Sequence, residues 1–251
     1  MCLLNSKAIF TKRHKVYINI NSLSPGQLRY TQVNVNTKAN RLEQSNKTYN
    51  NGTSSMPISS AIPVILGPNS LIVVIDSHHE FLASKKIGDT NIPIEVKEDF
   101  SHLTREEFFE EAKLKNYIYP YDKIGNLVPM PKENWYTWDA MQDDPNRLFV
   151  AFTALKGISE KYHKDPNAME EPKYPLWKKN LTQKVLLAFI EFKIATILYK
   201  NNLIYNYNWG TNPNSKENQK FTEEAREILN QALYDGSIPN FELIKPKDTG
   251  K

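Results

Sequence analysis

Five consecutive residues, Asp76-Ser77-His78-His79-Glu80, gather two carboxylates, two imidazoles and a hydroxyl in one short stretch. Imidazoles exchange protons near neutral pH, so His78 and His79 are candidates for general acid–base work. Asp76 and Glu80 can act as bases, or together hold a divalent cation as metal ligands. Neighbouring side chains on a helix point about 100° apart, so the two histidines cannot easily share one small ligand. One can face a ligand while the other caps or packs; the competing reading is a hydrogen-bonded pair at a helix start. A second group, Asp143-Asp144-Pro145-Asn146-Arg147, joins two carboxylates to a guanidinium. It reads either as a cation and phosphate site or as a capped helix with an i,i+3 ion pair. Trp135, Tyr136 and Trp138 can stack a base or fill a core.

The elements that must position these groups are legible in outline. Two apolar runs, Ile62 to Leu66 and Leu71 to Ile75, flank Gly67-Pro68-Asn69-Ser70 and predict a β-hairpin. The second run ends at Asp76, and Phe81-Leu82-Ala83 continues as helix. Asp76 or Ser77 can serve as N-cap, and Glu80 falls in the first turn, where a carboxylate suits the helix dipole. Backbone amides at such a strand-to-helix junction can bind an anion. Upstream, Val16 to Ile20 predicts a strand, Ser24-Pro25-Gly26 a turn, and Val33 to Gln44 a segment that starts as strand and finishes as helix. Asn46 to Ser55 predicts an exposed loop. Ile92 to Val96 predicts a strand whose proline suits an edge or a strand start.

Downstream, Thr104-Arg105-Glu106-Glu107 has the form of a capping box. Asn134 to Met141 predicts a short helix, and Asp144-Pro145 a helix start running to Leu155. Pro175 to Lys200 is the longest helical pattern. Asn206 to Asn218 predicts a polar loop, Phe221 to Tyr234 an amphipathic helix, and Ile244 to Lys251 a frayed tail. Strands crowd the first hundred residues and helices the remainder, so the expected class is α+β.

With 251 residues the chain can bury a real core. Its formal charge of +4 is spread along the sequence and argues only weakly for a polyanionic partner. Cys2 is the one cysteine, which excludes an intrachain disulfide and a thiolate metal site and fits a reducing, cytoplasmic location. No apolar run reaches membrane-spanning length, so no membrane is expected as a partner.

Several blocks resemble one family. Leu28-Arg29-Tyr30-Thr31-Gln32 is similar to the Leu-Arg-Pro-Thr-Gln signature of the ParB-like nucleases. Pro63 to Pro68 and Val74 to His79 look like that family's central block, where a strand ends in Asp-Gly/His-His-His. Tyr119-Pro120-Tyr121-Asp122 resembles its Tyr-Pro-Tyr-Asp element, and Asp143 to Arg147 its Asp-Asp-Pro-Tyr-Arg element. The resemblance implies a ParB/sulfiredoxin-like fold: a small twisted mixed β-sheet with a helical C-terminal half packed on it. It also implies a division into a core over residues 1–130, a helical extension over 131–240 and a flexible tail over 241–251.

The wider superfamily handles nucleotides, so the resemblance implies ATP or ADP, with CTP as a further candidate, together with Mg2+. Thr31 and Gln32 lie where relatives place pocket residues. Ser77 stands where they commonly have glycine, and Glu80 where they have a phosphate-binding arginine. Arg29, Lys85 (with Lys86) or Arg147 can supply the missing positive charge; otherwise Arg29 is an exposed strand charge and the lysines are simply solvated. His78 occupies the position of the sulfiredoxins' catalytic cysteine, which excludes that reaction. Gln32 cannot act as a base, so a kinase-like reaction would need Asp76 or Glu80.

Three functions stay open. One is a phosphoryl-transfer enzyme, either a nuclease or a nucleotide-dependent phosphotransferase. Another is a non-catalytic nucleotide-binding or scaffold protein, and a third a DNA-binding partition-type protein. The expected partner is a nucleotide or a phosphorylated small molecule, with nucleic acid as the alternative. The third reading lacks a helix-turn-helix with a basic recognition helix.

Overall fold

A computed structural model describes residues 16–49, 61–150, 189–206 and 215–234. In chain order its elements are β1 (Val16–Asn19), β2 (Ser24–Pro25), β3 (Arg29–Tyr30), α1 (Gln32–Tyr49), β4 (Ile62–Leu66), β5 (Ile72–Val74), α2 (His78–Lys86), β6 (Asn91–Asp99) and α3 (Arg105–Leu114). They are followed by β7 (Gln142–Asp143), α4 (Pro145–Phe149), α5 (Ile190–Lys200) and α6 (Lys216–Tyr234). The fold is mixed α/β, as expected from the order of strands and helices. It divides into two compact units that alternate along the sequence. The first comprises Met1–Gly26, Val33–Ile118 and Met130–Ala140; the second comprises Gln27–Gln32, Tyr119–Pro129 and Met141–Lys251.

The first unit holds a five-stranded mixed sheet in the order β1-β6-β4-β5-β2. The predicted hairpin is β4 and β5, antiparallel, closed by a Gly67 N–H bond of 2.8 Å to the Leu71 carbonyl. Asn69 and Ser70 take positive φ in its turn. β6 runs parallel to β4, and β1 antiparallel to β6. Ile20, Leu23, Ile62, Val64, Val74, Phe81, Ile92 and Ile94 form the buried cluster that joins sheet and α2. At the start of α3 the predicted capping box is complete: the Thr104 side chain accepts from the Glu107 N–H, and the Glu107 carboxylate accepts from the Thr104 N–H at 2.9 Å.

Several expectations are corrected. Ser24-Pro25 is a strand rather than a turn, paired parallel to β5, because the chain stays extended until Gly26 donates to the Val74 carbonyl at 2.9 Å. Residues 32–49 are helical throughout, so the expected strand at Val33 is absent, and the first residues of the loop expected from Asn46 belong to α1. The Asp143 carboxylate accepts the Gln32 N–H at 2.8 Å, a cap that only the folded chain provides. β6 is interior rather than an edge, and Pro93 suits it as a residue near the strand start, paired with β1 but ahead of the β4 ladder, which begins at Ile94. Asn134 to Met141 holds only a 3-10 turn at Trp138–Ala140. Adjacent Trp135 and Tyr136 are both buried, a pattern that one face of a helix cannot satisfy.

The second unit holds a two-stranded parallel ladder of β3 and β7, with α4, α5 and α6. Asp144 caps α4 ahead of Pro145, as predicted, its Oδ1 accepting the Arg147 N–H at 3.0 Å. α5 begins only at Ile190, after Phe189 in the left-handed region, and α6 takes in Lys216 to Asn218 of the expected loop. The remainder of the predicted Pro175 helix, the end of the helix expected to reach Leu155, and the tail from Ile244 lie outside the described residues. Among the described residues, no helix is long and apolar enough to cross a membrane.

Candidate functional site

In the first unit the sequence cluster sits where β5 gives way to α2. Asp76 is exposed, and its Oδ1 accepts the Ser77 N–H at 2.6 Å. Ser77 adopts φ 63° and ψ 29°, the left-handed conformation that glycine accepts most readily. That single residue turns the chain out of the strand and into the helix. The Ser77 hydroxyl makes no capping bond, while its carbonyl accepts the Phe81 N–H at 3.0 Å. The N–H groups of His78, His79 and Glu80 therefore form the first turn of α2, where no carbonyl of the same helix can serve them.

Both histidines are buried, His78 with 3% and His79 with 8% of its surface exposed. His78 Nε2 lies 3.3 Å from the Gly26 N–H, which it shares with the Val74 carbonyl at 2.9 Å. A Cβ on Gly26 would lie 2.5 Å from the Val74 carbonyl oxygen, so only glycine permits this approach. Glu80, which stands where a phosphate-binding arginine was expected, is ion-paired with Lys38 of α1. Lys86 donates to Asn36 at 2.7 Å, and Lys85 is exposed in the last turn of α2. Among the described residues, no three His, Cys, Asp or Glu side chains gather closely enough to hold a metal ion.

In the second unit the structure brings together Arg29, Thr31, Gln32 and Arg147. Arg29 is wholly buried, not an exposed strand charge. Its Nε donates to Asp144 Oδ2 at 2.7 Å and its Nη1 to Thr196 Oγ1 at 2.8 Å and the Phe192 carbonyl at 3.1 Å. The guanidinium also lies over the Phe192 ring, 5.2 Å from its centre. Arg147 donates to Thr31 Oγ1 at 3.3 Å, pairs with Glu191 at 2.9 Å and covers the Phe192 ring at 4.7 Å. Gln32 Oε1 accepts the Tyr30 hydroxyl at 2.8 Å. Burial, and then the Asp143 carboxylate, push the Tyr30 phenol above its ordinary value; burial foremost, then Asp144, do the same to Tyr199.

The blocks along the sequence meet one description. A family model described as "Putative ParB-like nuclease" matches residues 16–169. The chain belongs to that family.

One of the solved structures it resembles agrees at the level of fold. This ParB-like chain resembles protein Atu1540 from Agrobacterium tumefaciens, with a TM-score of 0.58 and 22% identity over 88% of this chain and 94% of that one. Weaker likenesses are to the chromosome-partitioning protein ParB from Caulobacter crescentus complexed with CTP-gamma-S and to a free serine kinase in complex with AMP. The first has a TM-score of 0.28 and 12% identity over 86% of this chain and 99% of that one. The second has a TM-score of 0.27 and 14% identity over 33% and 30%. No curated protein matches the sequence.

Sequence reasoning missed two residues beside the β5–α2 junction, Gly26 and Lys38, and did not separate Trp138 from its neighbours. Gly26 carried a signal only as a turn residue, Lys38 none, and Trp138 was one of three aromatics of equal standing. Trp135 and Tyr136 prove to be core, whereas Trp138 stays half-buried, its Nε1 donating to the Leu23 carbonyl at 2.6 Å. Trp135 Nε1 likewise donates to the Pro25 carbonyl at 2.8 Å, so the two indoles hold the backbone just before β2 and at its end.

Proposed function

We propose that the chain binds a phosphate-bearing ligand, a nucleotide or a phosphodiester, at the β5–α2 junction. The observation that carries this reading is the left-handed Ser77, a strained turn between the end of β5 and the first turn of α2. Strain of this kind costs of order 1 kcal/mol and persists where the surroundings enforce it, commonly at ligand sites. Helix-start amides and the dipole behind them favour an anion.

The family's name supports phosphodiester hydrolysis as the chemistry, with His79 as proton acceptor or donor beside the ligand and His78 in the wall. Lys85 adds positive charge at the far end of α2. Mg2+ fits as a cation held through the exposed Asp76 carboxylate and the ligand's own phosphate oxygens, in keeping with its habit of few protein ligands. When bound it would neutralise phosphate charge. A cytoplasmic location accords with the single cysteine.

A second reading is a non-catalytic nucleotide-binding protein. The Glu80–Lys38 ion pair favours it, because it leaves Asp76 as the one carboxylate of the junction outside an ion pair.

Thermal melts of the full chain with tripolyphosphate, ATP and CTP, each with and without Mg2+, test the binding. A ligand that binds only the folded form raises Tm by about 2–4 °C per kcal/mol for a chain of this size. No shift with any of them at millimolar concentration overturns the proposal. Nicking of supercoiled plasmid with Mg2+ or Mn2+ that is lost in His79→Ala selects the nuclease reading; binding without turnover selects the second.

A further inference from the structure

We propose that β1 docks a second copy of this chain edge to edge, so that two five-stranded sheets become one continuous sheet. β1 ends the strand order and, among the described residues, has a ladder partner on one side only, β6. Ile20, in register with Thr90, donates its N–H to the Thr90 carbonyl at 2.9 Å. Bonded and non-bonded pairs alternate in an antiparallel ladder. Val16 and Ile18 therefore also face β6, while Tyr17 and Asn19 turn their amides outward. Pro93, which has no N–H to give, sits opposite Tyr17, as that alternation permits. The outward edge reads Val16-Tyr17-Ile18-Asn19 and is uncharged, with Val16 39% and Tyr17 52% exposed.

The other end of the sheet shows how an edge is closed. Gly26 gives its N–H to Val74 of β5, so Leu23 and Pro25 turn their carbonyls away from β5. Those two carbonyls accept the indole N–H groups of Trp138 and Trp135, and Pro25 has no N–H to offer. β1 has none of the usual guards of a free edge: no charge, no proline and no bulge. A second copy suits it because the edge is complementary to itself. Antiparallel pairing about a two-fold axis at Tyr17 joins the Tyr17 N–H of each copy to the Tyr17 carbonyl of the other. It sets the two Tyr17 rings side by side and Val16 of each copy opposite Ile18 of the other, pairings that strands favour. No like charges meet across the axis. Ile18 already packs against the buried cluster of sheet and α2, so the pairing prolongs that apolar surface. Four residues a side bury less than a standard interface, so a weak dimer is expected, with Kd on the order of 100 μM.

Sedimentation velocity of the full chain from about 5 to about 500 μM tests this, since the range brackets the expected Kd. The weight-average sedimentation coefficient is expected to climb from that of the monomer toward that of the dimer. Tyr17→Lys, which removes the ring pair and sets like charges face to face, is expected to weaken the dimer about 10- to 30-fold. Tyr17→Glu is expected to do the same. An equimolar mixture of the two variants is expected to recover association, because position 17 then faces its opposite charge across the axis. Should the variants fail to fold, the wild-type chain still decides: its Tm must rise with protein concentration. A chain that stays monomeric over the whole range, with constant Tm, overturns the proposal. So does a dimer undiminished in Tyr17→Lys, or a mixture that recovers nothing.

Discussion

At the scale of single residues, the largest departure from expectation is Arg29. Its place in a short motif gave no hint of burial, because a guanidinium looks the same in sequence whether solvated or enclosed. What encloses it arrives from far along the chain: Asp144, separated by 115 positions, and Thr196, by 167. Removing one partner of a buried ion pair leaves the other charge without compensation, which costs about 3–5 kcal/mol. Arg29→Met is therefore expected to lower the urea unfolding free energy by about that amount, and a loss below about 1 kcal/mol would show the pair to be dispensable. Ser77 is the opposite case: the family resemblance sets it where glycine is common, and its backbone is left-handed, the conformation glycine takes most readily. Glycine relieves the left-handed strain but adds freedom to the unfolded chain. Ser77→Gly is accordingly expected to stabilise the fold by about 0.5–1 kcal/mol, read as a higher urea midpoint at unchanged slope.

At the scale of elements, legibility followed the range of the forces involved. The capping box at Thr104 and the proline start at Asp144 are local devices, and both stand where the sequence placed them. The Ser24-Pro25 strand and the helical start at Gln32 were misread because their partners, Val74 and Asp143, are remote. The capping box carries a pH signature. Hydrogen bonds from the Thr104 backbone and then its side chain hold the Glu107 carboxyl below its ordinary 4.5, and bonds from Lys115 hold Glu98 down likewise. A depressed carboxyl stabilises the fold above its unfolded pKa and loses that contribution as pH falls through the folded one. Tm is thus expected to decline as pH drops below 4.5, and the decline to be shallower in Glu107→Gln, whose amide keeps the box without titrating. An identical acid profile in the two proteins would remove the box from the account.

At the scale of the whole molecule, the fold class and the family were legible because both rest on the order of blocks rather than on any one contact. The candidate site was legible as the Asp76–Glu80 cluster and, as one of three aromatics, Trp138; Gly26 and Lys38, which touch His78 and Glu80, come from separate stretches of chain. The sheet of the first unit adds a temporal dimension to this. Among the strands of this sheet β1 is translated before the others, yet its ladder partner is β6, translated after β4, β5 and α2. Non-local pairing of this kind makes loop closure costly before any reward arrives. The opening strand, with Tyr17 half in water even when paired, must wait as an unsatisfied template during synthesis. In this topology the edge of β1 gains its backbone partners only once β6 has been made.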